Sequence, residues 1–87
     1  MIIVSQRKDE LVNFDRIESM WICADEEGRF TIEATADTNS TLGTYSTKER
    51  AKEVLQEIVS KYKTTLYNSK TNETVVNIPK VYEMPKE

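Results

Sequence analysis

Residues 46–62 read STKERAKEVLQEIVSKY, and this stretch decides what the rest of the chain can be. Ala51, Val54, Leu55, Ile58, Val59 and Tyr62 recur at steps of three and four, which places them on one stripe of a helix. Lys48, Glu49, Lys52, Glu53, Gln56, Glu57, Ser60 and Lys61 fill the opposite face. Ser46, followed three residues later by Glu49, predicts a capping box at the helix start. An amphipathic helix has to bury its stripe against something. The flanking segments are therefore expected to supply a sheet.

Residues 1–4 (MIIV) and 11–14 (LVNF) read as two strands of a hairpin across the polar turn 5–10 (SQRKDE). Residues 17–24 (IESMWICA) form the next strand, with Met20, Ile22 and Ala24 on one face and Trp21 and Cys23 on the other. The acids and glycine of 25–28 (DEEG) mark a tight turn. Residues 30–36 (FTIEATA) alternate cleanly, Phe30, Ile32, Ala34 and Ala36 against Thr31, Glu33 and Thr35. A turn at 37–40 leads to the strand 41–45 (TLGTY), where Gly43 predicts a bulge or a close backbone approach. Beyond the helix, 63–74 is polar and 74–78 is an edge strand at most, because Pro79 cannot donate to a ladder. Residues 81–84 (VYEM) form a short strand that packs on its own domain or on a second copy.

The chain thus reads as one α+β domain. Residues 1–45 make an antiparallel meander of about five strands, 46–63 the amphipathic helix that covers it, and 64–87 a C-terminal extension with a short strand or tail. A strongly bent sheet would give a pleckstrin-homology-like half barrel, a flatter one an open two-layer sandwich.

Composition narrows the function. The apolar fraction is 38%, below the ~45–50% of ordinary globular chains, which favours self-association or a covering partner, with a homodimer as the default. A net charge of −3 with scattered Lys and Arg argues against nucleic acid held through its phosphates. One cysteine cannot build an intrachain disulfide, and no signal peptide or membrane-length apolar run is present. A cytoplasmic protein is expected.

The chain has no histidine, which removes Ser-His-Asp and Cys-His catalysis as usually built. Cys23, between Ile22 and Ala24, reads as a buried, inert thiol. Asp25, Glu26 and Glu27 are read as a solvated hairpin tip rather than an acid–base pair. Zinc has too few ligands, and a calcium loop starting at Asp37 fails because Lys48 stands where a bidentate Glu is required. Two glycines cannot build a phosphate cradle, so no cofactor is expected. An anion at the helix start, near Ser46, Thr47, Lys48 and Arg50, is weighed against ordinary capping, which explains the same residues. The candidate partner-binding residues are Trp21, unless it packs beneath the helix, and Tyr82 and Met84 near the edge at 79–85.

MIIVSQ at 1–6, VNFD at 12–15, LG at 42–43 and ERAKEVLQEI at 49–58 together resemble a group of small uncharacterised proteins encoded in Firmicutes genomes and their prophages. The likeness covers about two-thirds of the chain and brings no catalytic or ligand residue with it. It implies a phage or mobile-element setting, where small acidic proteins bind host machinery, including defence systems, or sequester nucleotides. The expected function is a non-enzymatic protein-interaction module, an inhibitor of a host protein. The alternative is a small-ligand or nucleotide binder at a subunit interface, with Arg7, Arg16, Arg29 or Arg50 meeting Phe14, Trp21 or Tyr45.

Overall fold

The alternating and periodic stretches form the elements they predict, though they assemble into two sheets. The computed structural model describes residues 1–71 and 81–87, the side chains of 63–71 excepted, so the expected edge strand at 74–78 lies outside the described residues. The elements are β1 (Ile2–Val4), β2 (Leu11–Asn13), a 3-10 turn (Phe14–Arg16), β3 (Ser19–Ala24), β4 (Phe30–Thr35), β5 (Asn39–Tyr45), α1 (Lys48–Thr71) and β6 (Val81–Glu83). This is an α+β chain whose larger sheet, β3-β4-β5, is an antiparallel meander. The second sheet, in the order β2-β1-β6, is mixed. β1 pairs antiparallel with β2, as its hairpin requires, and parallel with β6.

The bulge expected at Gly43 is present and has a purpose. Ile32 pairs with Gly43 but Glu33 pairs with Thr41, so Leu42 is the extra residue on β5. Leu42 and Tyr45 are an odd number of positions apart, which in a regular strand would turn them to opposite faces. The inserted residue lets both side chains enter the core, where each is almost wholly buried. Gly43 is needed for a second reason. A Cβ there would meet the Tyr45 hydroxyl oxygen at 2.8 Å and its ring at 3.0 Å.

The helix stripe is narrower than the sequence suggests. Ala51, Val54 and Ile58 are fully buried and Leu55 packs beside them, but Val59 is exposed. Tyr62 meets Phe14 with ring centroids 4.8 Å apart, tying the far part of the stripe to the 3-10 turn. The cap also shifts by one residue. Thr47, not Ser46, is the N-cap: its hydroxyl accepts from the Arg50 N–H at 3.1 Å and its carbonyl from Ala51. The capping box predicted from Ser46 and Glu49 is therefore corrected to a simple threonine cap. The helix continues to Thr71, past the expected end at 63. No glycine or proline stands in 63–71 to stop it.

Residues 81–87 pack on their own chain, which resolves the alternative left open for them. Tyr82 and Met84 join Ile3, Ile32, Leu42, Tyr45 and the helix stripe in one core. Met84 N–H donates to Val4 O, and the Tyr45 hydroxyl donates to Pro85 O at 2.9 Å. Gln6 completes the join. Its backbone N–H donates to Leu42 O, and its side-chain amide accepts from Thr44 N–H and donates toward the Thr44, Pro85 and Lys86 carbonyls.

Two substitutions test this account in urea unfolding. Gly43→Ala forces a methyl group against the Tyr45 ring and is expected to lower stability by about 1–3 kcal/mol without changing the slope of the transition. Gln6→Ala strips the amide from Thr44 and the C-terminal carbonyls and is expected to cost ~1–3 kcal/mol.

Candidate interaction surface

Each sheet has one face in the core, so the residues on the other faces and at the edges are what a partner could meet. In β3-β4-β5 the core face carries Met20, Ile22, Phe30, Ile32 and Ala34. The other face follows from the register: Ser19–Thr35–Asn39, Trp21–Glu33–Thr41 and Cys23–Thr31–Thr44 lie in rows. These rows are polar and internally bonded. Thr41 donates to the Glu33 carboxylate at 2.9 Å, Thr35 to Asn39 at 2.7 Å, and the Thr31 hydroxyl to Cys23 O at 3.2 Å. Trp21 is the one large apolar side chain among them.

Trp21 is 38% exposed and stands on the sheet face opposite the helix, not beneath it. Its strand parity puts it beside Glu33, whereas the helix lies over Ile32 and Ala34. Cys23 shares that parity and is exposed. The expectation of a buried thiol is thereby corrected: local apolar neighbours said nothing about which sheet face is covered. Tyr82 and Met84, expected at an open edge, are only 7% and 3% exposed and belong to the core. β6 itself is an edge strand of its sheet, so the edge is present while these two side chains point into the core.

The smaller sheet has an aliphatic outer face that sequence reading missed. Ile3, Val12 and Tyr82 form the row on the core side, so Ile2, Val4, Leu11 and Val81 point the other way, with Asn13 and Glu83 at the corners of the same face. Val4 lies opposite Leu11, and Ile2 opposite Val81. Leu11 is 71% exposed and Val81 62%. The Lys8–Glu83 ion pair borders this patch and holds the Glu83 carboxyl below its usual range. The available signal was the run of aliphatics in a short hairpin, but only the pairing with β6 brings Val81 beside Ile2.

The polar clusters are structural in their geometry. Asp25 accepts from the N–H groups of Glu27 and Arg29 and from the Arg29 guanidinium, while Gly28 takes a φ of 81°. The Arg29 N–H, chiefly, holds the Asp25 carboxyl low. This is a hairpin tip closed on itself. On α1, Arg50 meets Glu53 at 3.1 Å and Glu57 at 3.6 Å and donates to Glu87 O, and the Tyr82 hydroxyl donates to Glu57 at 2.7 Å. A groove of about 710 Å³ runs past Tyr82 along Lys52, Glu53, Gln56 and Glu57. A second cleft of about 310 Å³ lies between the 5–10 loop and β5, where Arg7 stands with Asp9 and Glu10.

The four arginines do not converge. Arg7 meets Asp9, Arg29 meets Asp25 and Glu27, Arg50 is held on the helix, and Arg16 makes no ion pair among the described residues. Among the described residues no three His, Cys, Asp or Glu side chains gather as metal ligands would, and no helix is long and apolar enough to cross a membrane. No family model matches this chain, and neither a curated protein nor a solved structure matches it.

The buried tyrosines set the alkaline limit of the fold. Burial pushes the Tyr45 phenol from 10.0 up to about 12, and burial together with the bond to Glu57 raises Tyr82 in the same direction. A pKa higher in the folded than in the unfolded chain means stability that is complete below pH ~10 and is lost as pH rises toward ~12. The melting temperature, followed by circular dichroism, should fall from pH ~10 upward. Tyr45→Phe should make that fall shallower.

Proposed function

We propose that this protein is a non-enzymatic interaction module that works in the cytoplasm as a homodimer and inhibits a host protein. The observation that carries the reading is the aliphatic outer face of β2-β1-β6. Leu11 and Val81 are widely exposed there, in register with Ile2 and Val4 on the strand between them. A three-stranded sheet normally wets its second face with polar side chains, whereas here Asn13 and Glu83 share that face with four aliphatic residues. Each exposed aliphatic side chain costs free energy in water that a partner would recover. The resemblance to prophage-encoded proteins supports a host protein, including a component of a defence system, as the target.

The ligand-binding alternative has less behind it. The cleft between the 5–10 loop and β5 places Arg7 beside Asp9 and Glu10, an arrangement that repels a phosphate as much as it attracts one.

The test is affinity capture from a Firmicutes host lysate, followed by binding of the purified captured protein to wild type, Leu11→Lys and Thr31→Lys. Leu11→Lys should weaken binding at least ~10-fold (about 1.4 kcal/mol), with circular dichroism unchanged, while Thr31→Lys on the other sheet binds as wild type. Binding that is indifferent to Leu11→Lys would rule out this face as the contact.

A further inference from the structure

The two edges of β3-β4-β5 are treated very differently by the fold. Beyond β5, Gln6 lies where a neighbouring strand would. Its N–H bonds to Leu42 O, and its side-chain amide both accepts from and donates to the Thr44 peptide. Beyond β3 there is no strand among the described residues. Edge strands in soluble proteins are ordinarily guarded by a charge, a proline or a bulge. β3 has none of these: SMWICA carries no charge and no proline, and its pairing with β4 is regular through all six residues.

The direction of its free groups follows from the hairpin. Asp25 N–H donates to Arg29 O, so the odd positions of β3 carry the ladder to β4 and the peptide groups of Met20 and Ile22 face outward. Those two residues lie one position on either side of Trp21, the half-exposed apolar residue of this face.

We infer that a second copy of this chain occupies this edge, β3 against β3 in an antiparallel register centred on Trp21, joining two three-stranded sheets into one of six strands. It refines the homodimer of the proposed function and uses none of the aliphatic face assigned to the host protein. Charge argues for a second copy in this register. The middle of β3 is neutral, Arg16 stands before its start without an ion pair, and Glu26 stands beyond its end, also without one among the described residues. A two-fold axis at Trp21 brings each Arg16 toward the second copy's Glu26, twice over. A shift that centres the pairing on Ile22 would instead set Glu18 against Glu26. In the Trp21 register Met20 exchanges hydrogen bonds with the second copy's Ile22, and the two indoles meet across a non-hydrogen-bonded pair, where side chains lie closest.

The same register sets Ser19 opposite the second copy's Cys23 at another such pair, close enough for a disulfide. Within one chain these positions are four strand residues apart, roughly 13 Å, and cannot bridge. The experiment is sedimentation equilibrium at low ionic strength, with mild oxidation of Ser19→Cys read on a non-reducing gel. The expected results are a wild-type dimer, a dimer band from oxidised Ser19→Cys that oxidised wild type lacks, and association at least ~3-fold weaker for Arg16→Glu or Glu26→Arg. The double reversal Arg16→Glu with Glu26→Arg should restore the wild-type constant. A wild-type monomer at high concentration overturns both the dimer and this register, leaving the host-binding face untouched. A dimer that neither cross-links through Ser19→Cys nor responds to the reversals overturns the register alone.

Discussion

A single side-chain amide holds three separate parts of this structure in place. Gln6 sits at the start of the loop after β1, bonds to the peptide of Thr44 on β5, and reaches the carbonyls of Pro85 and Lys86. It stands in for a strand residue, offering one acceptor and one donor to β5 as a backbone would. Without it two carbonyls and an N–H in a partly covered seam would need other partners. The seam between the two sheets, over their shared apolar core, is bonded through this group. Tyr45, donating to Pro85 from below, and Arg50, donating to Glu87 from the helix, secure the same segment from two further directions.

The second organising feature is the division of each sheet into a wet and a dry face, and the bulge at Leu42 is where that division is negotiated. Adding one residue to β5 recruits both Leu42 and Tyr45 to the interior and leaves Thr41 outside, bonded to Glu33. The outer face of β3-β4-β5 thereby becomes a lattice of short polar contacts with Trp21 at its margin. The smaller sheet lacks any such lattice. Its outer face is largely aliphatic, with Asn13 and the Lys8–Glu83 pair as its polar groups.

Local pattern revealed a good deal of this. The stripe of Ala51, Val54 and Ile58, the alternation of β4, the turn at Asp25 and the demand for a bulge at Gly43 are all short-range properties, visible in a few consecutive residues. Val59 lies at the margin of the stripe, where periodicity alone does not say how wide the covered arc is. Alternation places Trp21 and Cys23 on one face, but parity does not reveal which face a helix will cover, so Cys23 is exposed where its apolar neighbours imply burial. Tyr82 and Met84 do lie at a sheet edge, but nothing near them in sequence announces the strand pairing with β1 that turns their side chains into the core. Parallel partners leave no local signature. The candidate surface on β2-β1-β6 was hidden for the same reason, since half of it arrives with β6.

That parallel pairing also constrains how the chain reaches its final form. Ile2 and Val81 lie nearly the full length of the sequence apart, yet they are neighbours in one ladder. Closing so long a loop is entropically costly and slow, so β6 is expected to dock after the local hairpins and the helix have formed. Until it does, Ile3 and Val12 lack the cover of Tyr82, and the outer strand positions of β1 are open on one side. A partly folded chain of this kind presents an adhesive edge that the finished molecule conceals. Speed of docking therefore bears on whether newly made chains fold or aggregate, a pressure that acts on residues 81–87 independently of any partner the folded protein serves.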